Sequence, residues 1–364
     1  MTDDQKMIYN WLADEESKFI YQKRVEFLEK HNFGPIHDIT FKYVPYCADG
    51  EYAFLEYIKN KRVALYGAGK RGHIIYDLIK WGGGEQYIDA VLDSDTKKNN
   101  TKFNDKLKIQ IPDTFDFDSV QIIIITIFDN EESEKIKKSL CEKYKNKNLQ
   151  NKIVIFKDFL RKPEWPLNEQ YFDNTIIHLN EKESFVDAGV WDLGTSIIFG
   201  EKCRQKGIRD YHSFAFEPDN INYERCKKIQ QTQMLDFISL IHAGLWNENG
   251  IQRFNGMGNG GSSVSNRGYE AQMFALDHYN FDRKVTFIKM DIEGAELSAL
   301  KGGSGLIKTE KPKLAICIYH KSEDLTDIPI FIKELVPEYK FYIRHYSNTD
   351  CETVLYAVNN GNND

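Results

Sequence analysis

Residues 185–196 read Phe-Val-Asp-Ala-Gly-Val-Trp-Asp-Leu-Gly-Thr-Ser. A buried-type run leads into Asp187 and Gly189, and a helical pattern begins near Ser196, so the stretch predicts a strand, a tight turn and a helix. Because the acid precedes the glycine, the turn suits a ligand with a cationic amino-acid end better than it suits a pyrophosphate.

Strand and helix patterns alternate on both sides of this turn, which predicts parallel α/β sheets. A first series carries four candidate strands: Arg62–Tyr66, Ile88–Leu92, Gln121–Ile127 and Lys152–Phe156. A second series carries seven: Ser184–Asp187, Ser213–Glu217, Asp236–Ala243, Val285–Asp291, Lys313–Tyr319, Lys340–His345 and Thr353–Val358. The sequence therefore predicts two Rossmann-like parallel-sheet domains in one chain.

The domain boundaries follow from this alternation and from one proline-rich stretch. Residues 1–60 form a helical N-terminal segment, and residues 61–160 have the length of a small Rossmann-like domain. Arg-Lys-Pro-Glu-Trp-Pro at 161–166 restricts the backbone, and we expect a linker over 161–175. The second domain then occupies residues 176–364.

Composition excludes several classes of protein. The chain has 364 residues, 41% hydrophobic residues and a net charge of −7, which argues against intrinsic disorder and against a globally basic nucleic-acid-binding surface. Apolar runs are too short to span a membrane, and no secretory signal is visible at the start. Six scattered cysteines without zinc-ligand spacing fit reduced thiols, so we expect a cytoplasmic protein.

The first series carries a glycine motif, Gly67-x-Gly69-x-x-Gly72, between a strand and a helix. That context favours a nucleotide or nucleotide-sugar site, with Asp93 at the spacing of an acid that contacts ribose hydroxyls. The alternative is a tight strand-to-helix turn that binds nothing.

In the second series, Glu217 ends the strand after the 185–196 turn. A carboxylate there can accept two hydrogen bonds from a ribose diol, at the strand ends where doubly wound sheets bind ligands. Together with Asp187, it suits S-adenosylmethionine, which has an amino-acid head, a ribose and an adenine. The alternative use of either acid is as a solvated strand end or a helix cap.

A third acidic group lies in Ile-Lys-Met-Asp-Ile-Glu-Gly-Ala-Glu at 288–296. Its carboxylates are Asp291, Glu293 and Glu296, at a strand-to-helix junction. Acids in a first helical turn also stabilise the helix dipole, so a purely structural use of Glu296 stays open.

These motifs, with Ala-Phe-Glu-Pro-Asp at 215–219, Tyr-His-Lys-Ser-Glu-Asp-Leu at 319–325 and Arg-His-Tyr-Ser at 344–347, resemble the FkbM family of S-adenosylmethionine-dependent methyltransferases. The resemblance covers roughly residues 172–358. It implies a class I methyltransferase fold, a seven-stranded sheet with an antiparallel last strand, and O-methylation of sugars or related hydroxyl compounds.

The resemblance also implies roles for individual residues. Its cofactor loop matches Asp187 and Gly189, with Gly194 one position later than is common and Asp192 as a compensating polar group. Its ribose-binding acid matches Glu217. Its acidic motif near the acceptor matches Asp291, Glu293 and Glu296.

Methyl transfer to an alcohol requires help in removing the hydroxyl proton, from a base or a metal. Asp291, His320 and His345 each end a predicted strand in the second series, so we expect them as catalytic candidates. The same acid–histidine set also suits a divalent metal. The alternative for each histidine is a structural role.

The sequence thus favours an S-adenosylmethionine-dependent O-methyltransferase that acts on a sugar or a related small molecule. One rival is an oxidoreductase that binds a nicotinamide cofactor at Gly67–Gly72, and another is a non-catalytic nucleotide-binding protein. The identity of the acceptor, the ligand of the first domain and the oligomeric state stay open.

Overall fold

The computed structural model describes residues 1–145, 148–160, 169–256, 258, 263–264 and 268–359. Their contacts divide the chain into two compact units. The first takes in the described residues of 1–22, 164–346 and 351–364, and the second those of 23–163 and 347–350. The boundaries at 60, 160 and 175 stay a prediction, and residues 161–168 of the expected linker lie outside the described part.

The first sixty residues are helical: α1 Asp3–Trp11, α2 Glu15–Lys30, α3 Gly34–Tyr43 and α4 Pro45–Ile58. Thr2 and Gln5 form a capping box that fixes the start of α1. A proline in the first turn of α3 and of α4 is compatible with helix initiation because its missing N–H has no partner there anyway. The division between the two units falls within α2.

The second unit contains a five-stranded sheet in the order β3-β2-β1-β4-β5, with every neighbouring pair parallel. Its elements are β1 Val63–Tyr66, α5 Lys70–Trp81, β2 Ile88–Leu92, β3 Ile109–Gln110, β4 Ile122–Ile125, α6 Asn130–Lys143 and β5 Ile153–Ile155. Apolar side chains are buried on both faces of the sheet, as expected of parallel strands. The predicted Rossmann-like sheet is confirmed, and β3 is an addition to it.

The first unit contains a seven-stranded sheet in the order β15-β16-β14-β13-β6-β7-β8. In chain order its elements are β6 Lys182–Ala188, α7 Gly194–Gln205, β7 Asp210–Phe216, α8 Asn220–Gln233, β8 Ile238–Ile241, β9 Gly244–Leu245, β10 Gly250–Asn255, β11 Ser263–Val264, β12 Tyr269–Phe274, β13 Phe287–Met290, α9 Glu296–Gly302, α10 Ser304–Glu310, β14 Lys313–Cys317, α11 Asp324–Leu335, β15 Lys340–His345 and β16 Thr353–Val358. The last strand, β16, runs antiparallel to both neighbours. The predicted methyltransferase-type sheet is confirmed.

The first unit also contains a four-stranded sheet in the order β11-β10-β12-β9. Its strands lie between β8 and β13 in the sequence. The sequence patterns do not predict this four-stranded sheet. Two of its strands are only two residues long, too short for an alternating pattern to be visible. Phe254 and Met273 are its buried side chains next to the site described below.

Among the described residues, no helix combines the length and the apolar character that a membrane span requires.

Candidate functional site

A cavity of about 490 Å³ lies at the carboxyl ends of β6, β7 and β13. This volume is in the range of small-molecule sites, and the position is the one where open α/β sheets bind ligands. Several predicted site residues line it: Gly189, Asp192, Gly194, Glu217, Asp291 and Glu293. Asp187, Glu296, His320 and His345 do not belong to the described lining.

Gly189 makes the sharp turn after β6. Its φ of +79° is in the left-handed region, and a Cβ added there would lie 2.0 Å from the carbonyl oxygen of Asp291. No other residue fits this position without moving the backbone. The glycine therefore lets the loop after β6 pass directly against the loop after β13.

The loop between Gly189 and α7 is held by two carboxylates. Asp192 Oδ1 accepts a hydrogen bond of 2.9 Å from the Gly194 amide, and Glu217 Oε2 accepts one of 3.0 Å from the Trp191 amide. Trp191 has a φ of +42° and Leu193 one of +64°. Asp192 thus braces the start of α7, and its expected role towards a cofactor stays a prediction.

Asp187 lies beneath the cavity instead of facing it. It is fully buried, its Oδ2 accepts a 2.7 Å hydrogen bond from Ser196, and its Oδ1 lies 3.1 Å from Lys289 Nζ. Lys289 also donates to the carbonyls of Ala188 and Gly189, at 3.0 and 2.8 Å. Asp187 therefore acts on the cavity through Lys289, a cavity-lining residue to which the sequence analysis gives no role.

The groups around Lys289 favour the charged form of its ammonium group. Burial alone would lower the pKa of Lys289, but the carboxylates of Asp187 and Asp291 outweigh it and raise the pKa above its ordinary value. A buried ammonium group thus sits under the turn at Gly189 and balances the acids around it.

Glu217 is 4% exposed and faces the cavity from the end of β7. Its Oε1 accepts a 2.8 Å hydrogen bond from the Asp219 amide, opposite the bond that Oε2 receives from Trp191. Burial raises the pKa of Glu217 to about 6, with these backbone hydrogen bonds acting against the rise. Each oxygen keeps a lone pair for a ligand hydroxyl.

Asp291 follows β13 and receives two phenolic hydrogen bonds. Tyr171 Oη donates to Oδ2 at 2.8 Å and Tyr319 Oη to Oδ1 at 3.1 Å. Burial acts to raise the pKa of Asp291, but the charges of Lys289 and His320 prevail and hold it below its ordinary value. Asp291 is thus a stable carboxylate and a weak base.

His320 lies behind Asp291, surrounded by acids. Its Nδ1 is 3.0 Å from Glu296 Oε1, and its Nε2 is 3.5 Å from Asp291 and 3.6 Å from Glu293. Burial opposes protonation, but Glu293 and Glu296 overcome it and raise the pKa of His320 to about 11. An imidazolium at neutral pH has no lone pair for a proton, so this geometry favours a positioning role over the predicted role as a base.

His345 requires a correction. It ends β15, but β16 lies between β15 and β14 in the sheet, so strands that are consecutive in the predicted series are not neighbours in space. His345 is 4% exposed, and its Nδ1 is 2.8 Å from Thr353 Oγ1 on β16. β16 therefore separates the strand that ends at His345 from the strand that leads to His320.

Ligand atoms of Asp291, Glu296 and His320 lie within 4.8 Å of one another, a spacing compatible with a metal ion. The carboxylates raise the pKa of His320 to about 11, so a metal ion would have to displace a proton before it could bind this imidazole. The three groups lie at ion-pairing distances from one another, and we derive no metal-dependent step from them.

Three further cavity-lining residues escape the sequence analysis: Gln170, Tyr171 and Glu352. Gln170 and Tyr171 lie in the stretch expected to be a linker, although both are almost fully buried. Glu352 lies between β15 and β16. No sequence pattern marks these residues, since they meet only in the folded domain.

In the unit with the five-stranded sheet, Gly67 and Gly69 form the expected turn before α5, and Gly72 lies in the first turn of that helix. Gly67 has a φ of +115°, and a Cβ on Gly72 would lie 2.1 Å from the Gly67 carbonyl oxygen. Asp93 accepts hydrogen bonds from the Ala68 amide at 3.0 Å and from Lys98 Nζ at 2.8 Å. Lys98 is thus bound to the carboxylate that is expected to contact a ribose. Nucleotide binding at this turn stays a prediction.

The solved structures similar to this chain include several methyltransferases. The crystal structure of a methyltransferase FkbM from Methylobacillus flagellatus KT is 19% identical, covers 92% of this chain and 100% of its own, and has a TM-score of 0.49. An rRNA methylase from Streptococcus thermophilus is 14% identical over 52% of this chain and 89% of its own, with a TM-score of 0.33. Aeropyrum pernix fibrillarin, with natively bound S-adenosyl-L-methionine, is 10% identical over 53% and 76%, with a TM-score of 0.33.

No curated protein matches the chain. The family model described as the methyltransferase FkbM domain matches residues 187–343, which is less than half of the chain. The match begins at Asp187 and ends in β15, so it contains the turn at Gly189, the ribose-type acid Glu217 and the acidic cluster at 291–296. Over residues 187–343 the chain is therefore similar to the methyltransferase FkbM domain.

Proposed function

We propose that the protein is an S-adenosylmethionine-dependent O-methyltransferase whose acceptor is a hydroxyl group of a sugar or a related small molecule. The observation that carries the proposal is the buried carboxylate of Glu217, which faces the cavity of an FkbM methyltransferase domain. Burying an ionisable acid is costly unless its lone pairs are used, and a ribose diol uses them.

The cavity offers a matching surface for each part of the cofactor. Glu217 would bind the ribose, and the apolar side chains of Leu245, Phe254 and Met273 would contact the adenine. The beginning of α7 at Gly194 carries the partial positive charge of a helix N-terminus, which suits the carboxylate of the amino-acid end. Asp291 supplies negative charge for the cationic part.

When bound, S-adenosylmethionine supplies an electrophilic methyl group on a sulfonium. The chain must then hold an acceptor hydroxyl in line with that group. Asp291 and Glu293 line the cavity as hydrogen-bond acceptors for sugar hydroxyls, while His320 and Glu296 position them from behind. Asp187 acts in the same way on the cofactor side, through Lys289.

The test compares binding and turnover in the full chain. Calorimetry should detect S-adenosylmethionine and S-adenosylhomocysteine, and Glu217→Ala should weaken both at least about tenfold, since hydrogen bonds to a charged group contribute about 1.5–3 kcal/mol each. Binding of NAD⁺ without S-adenosylmethionine would favour the oxidoreductase instead. Turnover is followed with methyl-labelled cofactor and a mixture of free and nucleotide-linked hexoses.

All six cysteines are free in the structure, which supports a reducing compartment. A cytoplasmic location is part of the proposal and is tested by fractionating cells that express the full chain.

A further inference from the structure

The acceptor hydroxyl must lose a proton, and the carboxylate expected to take it is poorly suited. Asp291 accepts two phenolic hydrogen bonds, and the nearby charges of Lys289 and His320 hold its pKa below the ordinary value. His320 is protonated at neutral pH because its pKa is raised to about 11. A second carboxylate in the same cavity meets the requirement better.

We propose that Glu352 is the general base that accepts the proton of the acceptor hydroxyl, a role that rests on the proposed methyltransferase function. Glu352 lines the cavity together with Glu217 and Asp291. In the step, the hydroxyl oxygen forms a bond to the methyl carbon, the sulfur keeps the electron pair of the broken bond, and the hydroxyl proton passes to the Glu352 carboxylate.

The position of Glu352 is fixed by a continuous hydrogen-bonded chain. Gln170 Nε2 donates to Glu352 Oε2 at 2.6 Å and to Tyr171 Oη at 3.1 Å. Tyr171 Oη in turn donates to Asp291 Oδ2 at 2.8 Å. The two carboxylates are therefore held in one network, in which Gln170 and Tyr171 are positioning residues.

The backbone around the network is strained in the way that functional sites often are. Tyr171, Glu293 and Glu352 have φ values of +70°, +54° and +62°, although none is a glycine. A side-chain-bearing residue in this region is strained and persists only where the surroundings impose it. All three residues line the cavity.

The charges around Glu352 suit a base that works near neutral pH. Burial and the negative charge of Asp291 raise the pKa of Glu352 to about 7, with a smaller rise from Glu293, while Gln170 and His320 act against it. The neutral side chains of Tyr171, Cys317 and Tyr319 also lie within its electrostatic reach. A base with this pKa is partly ionised at neutral pH and strong enough to accept a proton.

The first experiment needs neither cofactor nor acceptor. Infrared titration of the isotope-labelled full chain should show a carboxyl group that ionises near pH 7 and is missing from Glu352→Gln. Asp291→Asn should move that ionisation to lower pH, because it removes the negative charge that raises the pKa. A Glu352 carboxyl that ionises in the ordinary range of glutamate would overturn the proposal.

The second experiment uses methyl-labelled S-adenosylmethionine with the hexose mixture. Glu352→Gln should lower kcat by about 10²–10⁴, leave the affinity for S-adenosylhomocysteine unchanged and remove the loss of activity below pH 7. Glu352→Asp should restore part of the rate, and Glu224→Gln, on the exposed face of α8, serves as the matched control.

The two proposals fail differently. If the wild-type chain binds no S-adenosylmethionine or methylates none of these sugars, the proposed function fails as stated. If the wild type turns over and Glu352→Gln keeps both its rate and its pH profile, Glu352 is not the base and the methyltransferase assignment stands.

Discussion

Lys289 Nζ lies 3.1 Å from Asp187 Oδ1, and both side chains are almost completely shielded from solvent. The pair bridges two neighbouring strands beneath the cavity, with Lys289 on β13 and Asp187 on β6. Because the ammonium group also holds the carbonyls of the Gly189 turn, the pair links the stability of the sheet to the shape of the site.

Breaking this pair from one side should be costly. Lys289→Met leaves the Asp187 carboxylate buried and uncompensated, and we expect a loss of roughly 3–5 kcal/mol in the free energy of unfolding. Urea denaturation measures it, with Lys284→Met on the exposed surface as control. The double variant Asp187→Asn/Lys289→Met should lose less than the two single losses together, and simple additivity would contradict a direct pairing.

The turn at Gly189 offers a matched pair of glycines. Gly207 has a φ of +73°, close to the +79° of Gly189, but a Cβ at Gly207 would meet no atom within 4 Å. Gly207→Ala should therefore cost only the left-handed backbone, roughly 1–2 kcal/mol. Gly189→Ala should cost more and weaken S-adenosylhomocysteine binding, because its Cβ collides with the Asp291 carbonyl. Equal unfolding curves for both variants would argue against that close approach.

Cofactor affinity should depend on pH through Glu217. Since the pKa of Glu217 is raised to about 6, its carboxylate is ionised above that pH and protonated below it. A protonated carboxyl group is a weaker hydrogen-bond acceptor than a carboxylate. The affinity for S-adenosylhomocysteine should therefore decline as the pH falls through about 6. In Glu217→Gln, calorimetry should show weaker binding with this decline removed; a decline that persists there must come from another group.

Stability should depend on pH through His320. Its pKa is raised from 6.5 to about 11 by the surrounding acids, so its contribution is fully present below about pH 6.5 and is lost progressively towards pH 11. The stability advantage of the wild type over His320→Gln should shrink as the pH rises above 6.5. His278→Gln, at an exposed position, is the control. An advantage that appears only on addition of Zn²⁺ would identify a metal site instead.

Two strands of the large sheet were predictable to the residue, because their sequences are short runs rich in strand-favouring residues. The predicted ranges Lys340–His345 and Thr353–Val358 coincide with β15 and β16, since both runs are bounded by polar or helix-ending residues. The spatial order of the strands does not follow from these local patterns. The insertion of β16 between β14 and β15 separates the strand that ends at His345 from the strand that leads to His320, although His345 ends a correctly predicted strand.

The candidate site was predictable only where its residues follow a strand in a recognisable motif. Gly189, Glu217 and Asp291 satisfy that condition. Lys289 does not, because a lysine in a strand is usually exposed and its burial depends on an acid from the neighbouring strand. Gln170 and Glu352 are far apart in the sequence, and the residues around one give no indication that it contacts the other.

Gln170 and Glu352 are 182 positions apart in the chain, yet their side chains share a hydrogen bond. Contacts of such long sequence separation are entropically expensive to close and tend to form late in folding. The cavity should therefore be completed only after the strands between them have assembled. An emerging polypeptide that already contains the FkbM motifs still lacks the second carboxylate, so catalytic competence should arise after the rest of the sheet has formed.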